Sequence, residues 1–93
     1  MQTQVTFRHC RGDHPDLHAT AEKLAESLTK YNDNISNVKV EFMNDTEKIV
    51  EFVVFTQGTV LASKEASDDF HKSLNSAYDK MLRQIQKRKQ KNI

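Results

Sequence analysis

From Gln4 to Cys10, Val5 and Phe7 alternate with Thr6 and Arg8, the period of two that predicts a half-buried strand. Gly12-Asp13-His14-Pro15 breaks the alternation. Pro15 suits a first helical position, where its missing N–H has no acceptor in any case, with Asp13 or His14 at the cap. From Pro15 to about Tyr31 the apolar positions Leu17, Ala21, Leu24, Leu28 and Tyr31 recur at steps of three and four, opposite Glu22, Lys23, Glu26 and Lys30. That spacing predicts an amphipathic helix with one buried stripe.

Asn32-Asp33-Asn34 ends the helix, and Ile35 to Met43 alternates again, with Val38, Val40 and Phe42 on one side. The turn residues Asn44-Asp45-Thr46 predict a hairpin into KIVEFVVFT. That run is apolar at both parities. We place Val50, Phe52 and Val54 inward, because the other choice would bury Glu51 without a partner, which leaves Val53 and Phe55 on the outer face of the sheet. Gln57-Gly58 supplies a second turn, and Thr59 to about Ala66 a fourth strand. Ser67 or Asp68 then caps a long helix, whose stripe is Phe70, Leu74, Ala77, Tyr78, Met81 and Ile85. No Gly or Pro interrupts it, so it extends to about Lys89, roughly 35 Å.

The order β-α-β-β-β-α predicts an α+β fold, a four-stranded sheet with two helices packed on one face. The 93 residues, 37% hydrophobic and 29% charged, make one domain with a modest core, residues 88–93 forming a frayed basic tail. A single cysteine, Cys10, rules out an internal disulfide and points to a reducing, cytoplasmic setting. No apolar run has the length of a signal peptide or a membrane span.

Charge changes the picture most. Residues 1–79 hold eight basic and thirteen acidic side chains, a net −5, whereas residues 80–93 hold six basic and none acidic, +6. On the last helix Lys72, Lys80, Arg83, Lys87 and Lys91 fall opposite the apolar stripe as a ridge. Such faces are commonly just solvated, and cations near a helix C-terminus offset the dipole by about 0.3–1 kcal/mol. No acid follows Asp79, however, although Glu–Lys pairs usually decorate solvated helices, so the ridge points to a polyanion, along whose phosphates it can lie.

His9, Cys10, His14 and His18 are a weak metal pattern, since neighbours on a strand face opposite ways. We expect no metal and no cofactor. There is no glycine-rich phosphate loop, nucleophile motif or carboxylate pair set in a cleft, so no enzyme and no small-molecule substrate is expected. Asp68-Asp69 reads as favourable charge at a helix N-terminus. Tyr31 and Tyr78 read as core.

The segment Asp79-Lys80-Met81-x-Arg83-Gln84-Ile85-x-Lys87 resembles the D-K-L-x-R-Q-L/I-x-K of the ribosome hibernation-promoting factors, also called ribosome-associated inhibitors or sigma-54 modulation proteins. Pro15-x-Leu17, Glu22-Lys23-Leu24, Tyr31 and Leu61-Ala62-Ser63 are similar too, so the likeness spans nearly the whole chain. It implies a bacterial, cytoplasmic stationary-phase and stress factor that blocks translation by occupying the mRNA and A/P-site tRNA channel of the small ribosomal subunit. Its expected contacts with ribosomal RNA are Lys80, Arg83 and Lys87 with Lys23 and Lys30 of the first helix. To these the charge reading adds Lys72, Arg88 and Lys91. Leu24 and Ser27 stand where relatives often carry Lys or Arg, and His71 where Tyr is usual. The resemblance further implies a short form, monomeric off the ribosome, with a separate ribosome-dimerising factor as a possible partner. The alternative reading is a protein-interaction module docking through Met43, Val53 and Phe55 on the outer sheet face.

Overall fold

The computed structural model of the chain describes residues 1–12 and 14–91, with side chains as far as Lys87. The elements are β1 (Gln2–Arg8), α1 (Pro15–Leu28), β2 (Ile35–Asn44), β3 (Lys48–Thr56), β4 (Thr59–Ser67) and α2 (Phe70–Lys91). The expected order holds. The sheet is four-stranded and mixed, in the order β1-β2-β3-β4. β1 runs parallel to β2 across the α1 crossover, and the other pairs are antiparallel.

Strand periodicity decides which side is covered. Val38, Val40 and Phe42 of β2 and Val50, Phe52 and Val54 of β3 are fully buried, so the inward parity assigned to the ambiguous third strand is the observed one. Their alternates Lys39, Glu41, Glu51, Val53 and Phe55 lie on the open face. α1 packs over β1 and β2 through Leu17, Ala21, Ala25 and Leu28. α2 packs over β3 and β4 through Leu74, Ala77, Met81 and Ile85. Burying such side chains is worth about 1.5–3 kcal/mol each before entropy is counted. An aromatic row closes one end of this core: Phe7 stacks on Phe42 at 4.8 Å, and Phe70 meets Phe42 edge-on at 5.5 Å.

Hydroxyls fix α2 along the sheet. Ser63 Oγ donates to Ala77 O at 2.7 Å, and Ser73 Oγ to Lys48 O at 2.6 Å with Ser67 Oγ 2.7 Å away. Ser63 and Ser73 are buried, so each needs such a partner.

Three expectations require correction: the bounds of β1, the end of α1 and the cap of α2. β1 begins at Gln2 and ends at Arg8, because it pairs with β2 from Gln2↔Asn37 onward and His9 turns the chain at φ 56°. His9 and Cys10 therefore follow the strand. α1 stops at Leu28, since the next three N–H groups bond only three residues back, to Glu26, Ser27 and Leu28. This tightening takes the chain out of α geometry and leaves Tyr31 37% exposed, not in the core. The α1 cap is His14, one of the two residues expected there, although without a side-chain bond; Asp13 lies outside the described residues. The cap of α2 is Asp69, whose Oδ1 accepts the His71 N–H at 3.0 Å, where Ser67 or Asp68 was expected.

Candidate nucleic-acid interface

α2 turns four different sides to its surroundings, successive residues being about 100° of rotation apart. Met81 faces the sheet, fully buried. Tyr78 and Leu82 face α1, where Tyr78 Oη lies 2.6 Å from Ser27 Oγ, which itself lies 2.7 Å from Leu24 O. Lys80 and Gln84 face β4: Lys80 Nζ is 2.9 Å from Glu65 Oε2, and Gln84 Nε2 donates to Ala62 O at 2.8 Å. Arg83 tops the outward crest and Lys87 lies one turn further on, both exposed.

The expected ridge is thus not a uniform row of free cations. Lys72 pairs with Asp68 at 3.4 Å and Lys80 with Glu65 at 2.9 Å. Compensation absent along the helix itself comes from the turn before it and from β4. Both lysines stay open to solvent, at 67% and 57% side-chain exposure, and exposed pairs of this kind are worth only about 0–1 kcal/mol. Among the described residues Arg83 and Lys87 have no ion-pair partner, although Asp79 is exposed on the crest one turn before Arg83. The side chains of Arg88 and Lys91, and the tail expected to fray over 88–93, lie outside what is described.

Lys23 and Lys30 are exposed on and just beyond α1. Leu24 and Ser27 are half-buried on the α2 side, so the strip between the helices is neutral and the cations stand on the crests to either side. Arg83 and Lys87 on one helix, and Lys23 and Lys30 among the acids of the other, stand on either side of a neutral strip, a spacing that suits phosphate backbone better than one small anion.

On the open sheet face, Met43, Val53 and Phe55 are half-buried. Lys39 Nζ lies 5.4 Å from the Phe55 ring centroid, and Arg8 bridges to Glu41 at 3.3 Å. Val60, beside Phe55 in register, is the more exposed apolar group at 57%. Charge partly covers this face.

The histidines and cysteine do not assemble. His14 stacks on Phe7 at 5.2 Å, His18 Nδ1 contacts Glu22 at 3.2 Å, and Cys10 Sγ donates to Arg8 O at 3.3 Å. Among the described residues no three His, Cys, Asp or Glu side chains converge as a metal group. No described helix is long and apolar enough to cross a membrane.

Glu65, Gln84 and the Ser27–Tyr78 bond were missed from sequence. The β4 alternation of Leu61, Ser63 and Glu65 could have placed Glu65 under α2, and the four-residue step from Lys80 to Gln84 could have put both on one flank.

The fold is that of an α+β domain, a four-stranded mixed sheet with both helices on one face. The chain belongs to the Sigma 54 modulation protein / S30EA ribosomal protein family, whose model matches residues 3–93. It is similar to a ribosomal subunit interface protein from Coxiella burnetii, with 28% identity over 96% of this chain and 98% of that one and a TM-score of 0.86. The N-terminal domain of Protein Y from Thermus thermophilus shares the fold, at a TM-score of 0.82 and 18% identity over 94% of this chain and 98% of that one. No curated protein matches the sequence significantly.

Proposed function

We propose that this protein is a translation inhibitor of the hibernation type, acting in the cytoplasm. It binds ribosomal RNA of the small subunit through its helical crests and so occupies the channel used by mRNA and the A- and P-site tRNAs. Family membership and the similarity to a ribosomal subunit interface protein support the ribosome as partner. The observation that carries the mode of binding is the end of α2. Among the residues whose side chains are described, its last buried one is Ile85, and the cations around and beyond that point, Arg83 and Lys87, are exposed and unpaired.

Inhibition by occupancy asks nothing of the protein chemically, so no catalytic group is needed. A rigid rod bearing a few fixed cations reads the spacing and shape of RNA phosphates, not base sequence. Arg83 can fork onto one phosphate, and lysines act as point charges beside it. On this reading Lys23 and Lys30 engage a second strand of phosphates, and the solvent-facing protons of Lys80 and Lys72 add to the field. The protein is a monomer off the ribosome and acts as part of a stationary-phase or stress response, with a ribosome-dimerising factor as a candidate partner. Docking through Met43, Val53 and Phe55 has weaker support, because Lys39 lies over Phe55 and all three side chains are half-buried.

Sucrose-gradient sedimentation with ribosomes, scored alongside translation in vitro, tests this. The protein is expected to travel with small subunits and to reduce translation in proportion to occupancy. Sedimentation apart from ribosomes, or binding with no loss of translation, contradicts the proposal.

A further inference from the structure

We propose that Glu65 is a specificity residue of the RNA-binding flank. By holding Lys80 it withholds that cation from loosely structured polyanions and leaves it to a phosphate presented at a fixed position beside α2. The target rests on the ribosomal reading above; the local chemistry does not.

Glu65 occupies an unusual place. The side of the sheet turned to the helices carries Leu61, Ser63, Glu65 and Ser67 along β4, and Glu65 sits opposite Val50, which is fully buried. Among the described residues it is the one carboxylate on that side of the sheet. Lys80 reaches it at 2.9 Å, with 57% of the lysine and 32% of the glutamate side chain exposed. Stability does not require the pair, since contacts this open contribute little to folding. An uncharged side chain would suit the strand equally well.

The pair has a directional consequence. A lysine head group has three N–H donors; Lys80 bonds Glu65 at 2.9 Å and its side chain stays 57% exposed, so the remaining donors are open to a ligand. Gln84, one turn on, is anchored to Ala62 O at 2.8 Å, so the flank cannot swivel away from the strand. A phosphate held rigidly over the free side of Lys80 gains those two donors while staying clear of the carboxylate. A mobile polyanion samples both groups and meets a nearly neutral couple. A repulsive element that costs the wrong ligand more than the right one is how specificity is raised without added affinity.

The experiment compares binding to poly(U) and to purified small ribosomal subunits for the wild type, Glu65→Gln, Lys80→Gln and the double variant, each checked by thermal melting. Glu65→Gln is expected to tighten poly(U) binding about two- to fivefold, to change small-subunit affinity by less than this, and to lose its effect on poly(U) in the Lys80→Gln background. Three results overturn the proposal: no gain on poly(U), an equal gain on both ligands, or a gain that persists without Lys80. Failure of the wild type to bind small subunits overturns the ribosomal reading instead, and the poly(U) cycle still decides whether Glu65 acts through Lys80.

Discussion

Both helices bury one stripe on the same sheet face, yet α1 ends with its stripe, at Leu28, whereas α2 continues to Lys91, past Ile85, the last buried residue among those whose side chains are described. The additional stretch is about 9 Å of helix whose sequence, Gln86 to Lys91, contains no carboxylate. In α1 the exposed residues mix Asp16, Glu22 and Glu26 with Lys23, the ordinary composition of a solvated face. The two helices thus share a core but not a charge pattern: acids stand beside the cations of α1, and none follows Asp79 on α2. Up to Ile85, α2 is held by the same packing as α1.

The comparison breaks most visibly if the two halves of α2 are separable. Met81→Ala removes a fully buried side chain and should cost about 2–5 kcal/mol of stability, read by denaturant melts, while ribosome affinity is retained at temperatures where the variant stays folded. Arg83→Glu with Lys87→Glu should do the converse, weakening co-sedimentation on the order of 100-fold with an unchanged melting temperature. A large loss of stability in the second variant would show that the outer half is also structural. Lys23→Glu with Lys30→Glu should weaken binding by about tenfold, less than the α2 variant because α1 carries acids beside its cations. An equal or greater effect would move the principal contact to α1. Smallest, Tyr78→Phe removes the hydroxyl contact to Ser27 and should cost about 1 kcal/mol, measurable as a slight shift in the urea midpoint with no change in binding.

Most of the core could be read from the sequence because periodicity alone determines it. Val38, Val40 and Phe42 alternate, Leu74, Ala77, Met81 and Ile85 recur at helical steps, and the sides they mark are the buried ones. The end of α1 could not. Tyr31 continues the helical spacing from Leu28, but three short backbone bonds end the α geometry before it, a competition that spacing does not register. The charge ridge was legible as a pattern on one helix and illegible in its pairing. Lys80 meets Glu65 across 15 residues of sequence, and that contact depends on how α2 is set over β4, which helix periodicity leaves undetermined. Gln84 and the carbonyl of Ala62 are joined by the same placement. Pairing between elements, more than the elements themselves, separates the site as read from the site as built.

The central claim is that cations at the outer end of α2 meet RNA phosphates on the ribosome. The most direct measurement is the salt dependence of small-subunit affinity for the wild type and for Arg83→Gln with Lys87→Gln. Each phosphate contact contributes about 0.7–0.9 to the slope of log K against log salt. The account predicts a slope shallower by about 1.4–1.8 in the double variant, with its melting temperature unchanged. An identical slope in the two proteins would contradict it.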